Sequence, residues 1–113
     1  MLRGKKAVLI AFTVQSQKFE NNSERNKFFR LLYGWKQVIP KENKEYVYQR
    51  DGLLDEIPHM RVDQSSFIVP EDDFEKIDEF FDEWTDKVIW KKFKVLLEKS
   101  FEDMLDEEDS EEE

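Results

Sequence analysis

Few residues in this chain are placed to do chemistry. His59 is the single histidine and Asp63 follows four positions later. An imidazole titrates in the range where general acid–base catalysis operates. Asp63 is the one acid in a strand predicted over residues 61–69, so it is a candidate to hold a divalent cation across a dimer axis. Both residues also have plain structural readings. His59, set between Pro58 and Met60, suits a partly buried or surface loop position, and Asp63 suits an exposed strand edge near Arg61. Ser65 and Ser66 have no activating base in view. No glycine-rich phosphate loop, paired histidine ligands or nucleophile motif is present. The absence of cysteine excludes disulfides and thiolate metal sites. No metal ligand set or cofactor is expected, and Mg²⁺ enters only if a nuclease activity holds.

Cations and aromatic residues form a second constellation. Arg3, Lys5, Lys6, Arg25, Lys27 and Arg30 are the expected nucleic-acid contacts, because phosphate affinity depends on Lys and Arg displacing counterions. The same cations would serve equally as an ordinary solvated surface. Further on, Trp35, Tyr46 and Tyr48 are interleaved with Lys36, Lys44 and Arg50. Rings alternating with cations are the chemistry of a stacking nucleic-acid surface. In the structural alternative these rings pack across a hairpin, each pair contributing about 0.2–1 kcal/mol.

The elements that must carry these residues follow from pattern. Residues 7–14 are a continuous apolar run of strand length, suited to a central strand covered on both faces. Ser23 is placed to cap a helix whose stripe is Phe28, Leu31 and Leu32 and which ends near Gly34. Residues 35–39 and 46–49 read as a hairpin turning through Pro40 and residues 41–44. Leu53, Leu54 and Ile57 should tuck inward from a loop. The strand expected at 61–69 alternates Val62, Ser66 and Ile68 against Ser65, Phe67 and Val69, and ends at Pro70. Pro70, Glu71, Asp72 and Asp73 then mark a helix start. Its stripe is Phe74, Ile77, Phe80, Phe81 and Trp84. Residues 87–95 support both a helix and a strand. The β-branched and aromatic content of 88–93 selects strand, followed by a helix to about residue 106.

The expected fold class is α+β, a ferredoxin-like two-layer sandwich with an inserted hairpin. Residues 1–101 form one domain, and residues 102–113 an acidic tail expected to be disordered because its charges repel. The formal charge of −9 is concentrated in that tail, which holds nine acids and no base. Residues 1–61 carry twelve bases and seven acids, residues 62–101 six and eleven. No apolar run reaches the length of a membrane span and no signal peptide is evident, so a cytoplasmic protein with no membrane partner is expected.

These features together resemble a known family. A hydrophobic first strand, a basic helix ending in Tyr33-Gly34, the strand Gln64-Ser65-Ser66-Phe67, an acidic second helix and the closing run Asp86-Lys87-Val88-Ile89-Trp90 resemble CRISPR-associated protein two, the small subunit of the spacer-acquisition machinery. The outline is also similar to virulence-associated protein D and to the carboxy-terminal part of the phenylacetate repressor. The resemblance covers about two thirds of the chain through short motifs. It implies a ferredoxin-like homodimer that contacts nucleic acid and a protein partner. The family ends its first strand in a metal-binding aspartate, where this chain has Thr13, and a hydroxyl cannot replace a carboxylate toward a hard cation. The hairpin at 35–50 stands where the family runs almost directly from glycine into the glutamine strand, unless Gln37 takes that role.

Two functions of different class are therefore expected. One is a non-catalytic or weakly catalytic homodimeric scaffold on nucleic acid. The other is an acidic interaction protein whose tail and residues 71–83 bind a basic partner. Deletion of residues 102–113 separates them, since nucleic-acid affinity would hold or rise in the first case and partner binding would vanish in the second.

Overall fold

The computed structural model describes residues 6–111. The chain is α+β and divides into two compact units, one formed by Met1–Gln15 with His59–Glu113 and the other by Ser16–Pro58. Six strands and three α-helices follow in the order β1 (Lys6–Val14), α1 (Asn22–Tyr33), β2 (Trp35–Lys41), β3 (Lys44–Arg50), β4 (Met60–Asp63), β5 (Ser66–Pro70), α2 (Phe74–Asp82), β6 (Val88–Leu96) and α3 (Phe101–Glu111).

The first unit is built on a four-stranded sheet ordered β4-β5-β1-β6, with every neighbouring pair antiparallel. The apolar run at 7–14 is interior, as its composition requires: β1 pairs β5 on one side and β6 on the other. Alternation along β1 places Val8, Ile10 and Phe12 on one face, all buried. The register adds Phe67 and Val69 from β5 and Trp90 from β6 to that face. Helix α2 covers it with the stripe read from the sequence. Phe81 is the centre of the packing, its ring 4.9 Å from Trp90, 5.4 Å from Phe12 and 6.4 Å from Phe67. Aromatic pairs at such separations add about 0.5–1.5 kcal/mol beyond the area they bury.

One expectation fails in this unit for a local reason. Residues 61–69 are not one strand but the hairpin β4–β5. The Asp63 carboxylate accepts the Ser65 N–H at 2.7 Å and the Ser66 hydroxyl at 2.9 Å, so the chain reverses where uninterrupted alternation was expected. An aspartate bonding the backbone two residues on is a turn-former, which outweighs the β-branched pattern around it. The helix expected to run to about residue 106 is α3, Phe101–Glu111. Phe101 anchors that helix in a buried position, the Ser100 hydroxyl accepts the Asp103 N–H at 3.2 Å, and Glu102 and Asp103 lie in the first turn, where the helix dipole favours negative charge. Residues 112–113 lie outside the described residues. The strand expected at 87–95 is present as β6, paired along its whole length with β1.

In the second unit, α1 leads into the two-stranded sheet β2–β3. Its cap is Asn21 rather than Ser23. Asn21 has extended backbone, and its Oδ1 accepts the Glu24 N–H at 2.9 Å while Glu24 Oε1 accepts the Glu20 N–H at 2.9 Å. Phe28 and Leu32 are buried as the stripe requires, whereas Leu31 is exposed. Leu54 and Ile57 are buried on the short 3-10 turn Leu53–Glu56 and just after it.

Among the described residues, no helix is long and apolar enough to cross a membrane.

Candidate nucleic-acid interface

The interface is built from the end of α1 and the ribbon that follows it. Gly34 stops the helix with φ 80° and ψ 178°, a conformation open essentially to glycine alone. Space imposes glycine a second time. A Cβ on Gly34 would lie 2.6 Å from Arg50 O and 2.6 Å from Asp55 Oδ2, and a Cβ on Gly52 would run into Gly34 N. The two glycines thus bring the start of β2 against the chain leaving β3, and the Gly52 N–H is held by Asp55 Oδ2 at 2.7 Å. At the far end, Glu42 (φ 53°) and Asn43 (φ 68°) make a two-residue turn with both central residues left-handed. That geometry matches the twist of a tight hairpin.

Register then sorts the side chains. The pairs Trp35–Arg50, Gln37–Tyr48, Ile39–Tyr46 and Lys41–Lys44 share one face, and Lys36–Gln49, Val38–Val47 and Pro40–Glu45 share the other. The first face holds all three aromatic residues of the hairpin, three cations and no acid. Every residue of β3 is exposed, including Tyr46 at 43% and Tyr48 at 44%. Rings that served only cross-strand packing against a core would be covered; Tyr46 and Tyr48 are not, and Trp35 is half-buried.

Cations are stacked on this surface. The Arg30 guanidinium, from the last turn of α1, lies 4.3 Å from the Trp35 ring centroid, and that of Arg50 lies 5.3 Å from Tyr48. Arg50 is fixed further by donating Nε–H to Gln37 Oε1 at 2.7 Å. A guanidinium held on a ring face keeps its charge while losing little freedom when a phosphate arrives.

The cations expected to form the contact surface have different fates. Arg30 is drawn onto Trp35. Arg25 is half-buried, donating Nε–H to Ser16 Oγ at 3.1 Å and lying 5.2 Å from the Phe29 ring. Lys27 is exposed on α1, and Lys6 is exposed at the start of β1 in the other unit. Arg3 and Lys5 lie outside the described residues. Lys41 and Gln37 were missed in the sequence as members of the ring-bearing face. The signal that finds them is pairing: with the turn set at Glu42-Asn43, every second residue counted outward from it falls on that face.

The candidate catalytic residues flank β4, His59 before it and Asp63 at its end. His59 is half-buried just before β4. Asp63 is exposed in its turn, and the Ser65 N–H and then the Ser66 hydroxyl hold its carboxyl below the usual carboxylate range. Thr13, at the position where the resemblance calls for aspartate, is exposed near the end of β1 opposite Ile89. Among the described residues, no group of three or more His, Asp or Glu is arranged to hold a metal ion.

A cleft of about 620 Å³ in the first unit is lined by Val8, Phe74, Glu71, Asp72, Glu75, Asp78, Lys92 and Lys94. Lys92 Nζ lies 3.8 Å from Asp78 Oδ1, and the lining mixes four acids with two lysines. The ribbon face, by contrast, carries one sign of charge. Comparison with protein-family models, with characterised proteins and with solved structures gives no match for this chain.

Proposed function

We propose that this chain is a nucleic-acid-associated homodimeric scaffold, non-catalytic or weakly catalytic, of the ferredoxin-like kind to which CRISPR-associated protein two belongs. The observation that carries the reading is the one-sided ribbon: exposed Tyr46, Tyr48, Lys41, Lys44 and Arg50 with half-buried Trp35 on a single face that holds no acid. Stacking energy and phosphate neutralisation are then available on one surface, despite an overall charge of −9.

The ferredoxin-like part of the reading is supported by strand order. Taking the four sheet strands as first to fourth in the chain, the order β4-β5-β1-β6 is second, third, first, fourth, all antiparallel, with α1 after the first and α2 after the third. Dimerisation is supported by the sheet face opposite α2. There Phe93 of β6 is 49% exposed opposite Leu9, which is itself paired with Ile68, and Ile89 is 52% exposed opposite Thr13, a patch that a second copy would cover. The scaffold reading gains from Asp63, whose Oδ1 accepts both hydrogen bonds of a turn, and from a neutral Thr13.

The test is fluorescence anisotropy of labelled oligonucleotides, single-stranded and duplex, across a salt series. Binding that weakens steeply with salt is expected, and no binding of either form at low salt overturns the reading. Sedimentation should show a dimer. A strict monomer at high concentration removes the scaffold part and leaves a monomeric binding module.

A further inference from the structure

We infer that the ring-bearing ribbon face takes single-stranded nucleic acid in preference to duplex, with bases on Trp35, Tyr46 and Tyr48 and phosphates on the cations beside them. This rests on the nucleic-acid reading above and goes beyond it by assigning the form of the ligand. Three observations carry it.

The first is spacing. Tyr46 and Tyr48 lie two residues apart on β3, so they project to the same side about 6.8 Å apart. Bases within one strand of a duplex repeat every ~3.4 Å. Adjacent bases of a duplex therefore cannot occupy both rings, and they are in any case stacked on each other. A strand drawn out to nearly twice that repeat can present one base to each ring.

The second is the supply of hydrogen-bonding groups. A two-stranded ribbon can enter the major groove of a duplex, but reading base edges there requires free donors and acceptors on the inserted face. On this face the one amide is Gln37, and its carbonyl oxygen already accepts from Arg50 at 2.7 Å. The rest is rings, Ile39 and cations. Lys41, Lys44 and the tyrosine hydroxyls can reach phosphates or base edges, but the rings are the bulk of this face, and the flat faces of bases that they stack on are offered only by an unpaired strand.

The third is charge placed beside rings. Arg30 lies 4.3 Å from Trp35 and Arg50 5.3 Å from Tyr48, so a base seated on a free part of either ring has a guanidinium next to its phosphate. Lys41 and Lys44, paired at the tip, continue the line of positive charge toward the turn.

Oligothymidine of about sixteen nucleotides, the upper site size of a common single-strand-binding fold, is the probe, free and annealed to oligodeoxyadenosine. The free strand is expected to bind at least about tenfold more tightly than the duplex at equal salt. Tyr48→Ala is expected to weaken it roughly 5- to 150-fold, the effect of losing one base–ring stack, while Tyr48→Phe keeps the affinity because it keeps the ring. Tyr48 is 44% exposed, so neither change should unfold the chain, and circular dichroism checks that directly. Equal or tighter duplex binding overturns the inference and leaves the nucleic-acid reading standing. Single-strand binding unaffected by Tyr48→Ala and Tyr46→Ala overturns the ring assignment. No binding of either probe overturns the inference together with the reading beneath it.

Discussion

Two groups of aromatic side chains stand on the two sheets of this protein, and they meet opposite environments. On the four-stranded sheet, Phe12, Phe67 and Trp90 converge on Phe81 of α2, and the three phenylalanines are buried. On the two-stranded ribbon, Tyr46 and Tyr48 are more than two-fifths exposed, and Trp35 and Tyr48 hold guanidinium groups rather than other rings. The residue types are alike, so the difference lies in what covers them. A helix bearing Ile77 and Phe81 on one side seals the first group from water. Both strands of the ribbon remain open to solvent along most of their length. The first group packs the core, and the second is left largely to solvent.

That contrast predicts where substitutions act. The largest effect on stability should come from Phe81→Ala, which empties the centre of the buried group and should cost about 3–5 kcal/mol in chemical denaturation. Tyr48→Ala, removing a ring of similar size from the ribbon, should leave the denaturation midpoint almost unchanged. If the two cost the same, the division between a packing group and a binding group is wrong.

A smaller effect is expected at the base of the ribbon. Gly34→Ala forces a side chain into a glycine-only conformation and onto the Arg50 carbonyl, costing about 1–3 kcal/mol. It should also weaken oligonucleotide binding, because Arg50 and Trp35 are paired next to that glycine. Loss of stability with unchanged affinity would show that the ribbon works independently of its anchorage.

The smallest effect belongs to the Asp63 turn, and it is recognised by its pH dependence. The folded state lowers this carboxyl's pKa, so its contribution is complete above the ordinary carboxylate range and is lost as pH falls through the depressed folded value. Asp63→Ala should therefore destabilise slightly at neutral pH, and the gap from the unsubstituted protein should close in acid. A gap independent of pH would mean that the carboxylate's hydrogen bonds to Ser65 and Ser66 are not what holds the turn.

Some of this was readable from residue order alone because the cause is local. Eight residues without a charge, 7–14, suit a central strand, and β1 is paired on both sides. Pro70 followed by three acids starts a helical segment, and Phe74, Ile77 and Phe81 at helical spacing identify its inner side. A hairpin follows from two β-rich runs around a polar turn. The candidate site was half legible for the same reason: rings and cations in 35–50 stood out by type, but which of them share a face depends on the placement of a two-residue turn.

The remainder was settled by tertiary pairing. Residues 88–96 fit helical and extended periods alike, and they are a strand because β1 offers an unpaired edge along their full length. Asp63 breaks an apparent strand because its carboxylate finds Ser65 and Ser66 only once the chain has turned back. The acidic end is helical through Glu111, with Phe101 buried at its start. Periodicity reports which side chains could share a face. Whether that face is covered, paired or left to water depends on what the rest of the chain brings to it, and that is a property of the folded molecule.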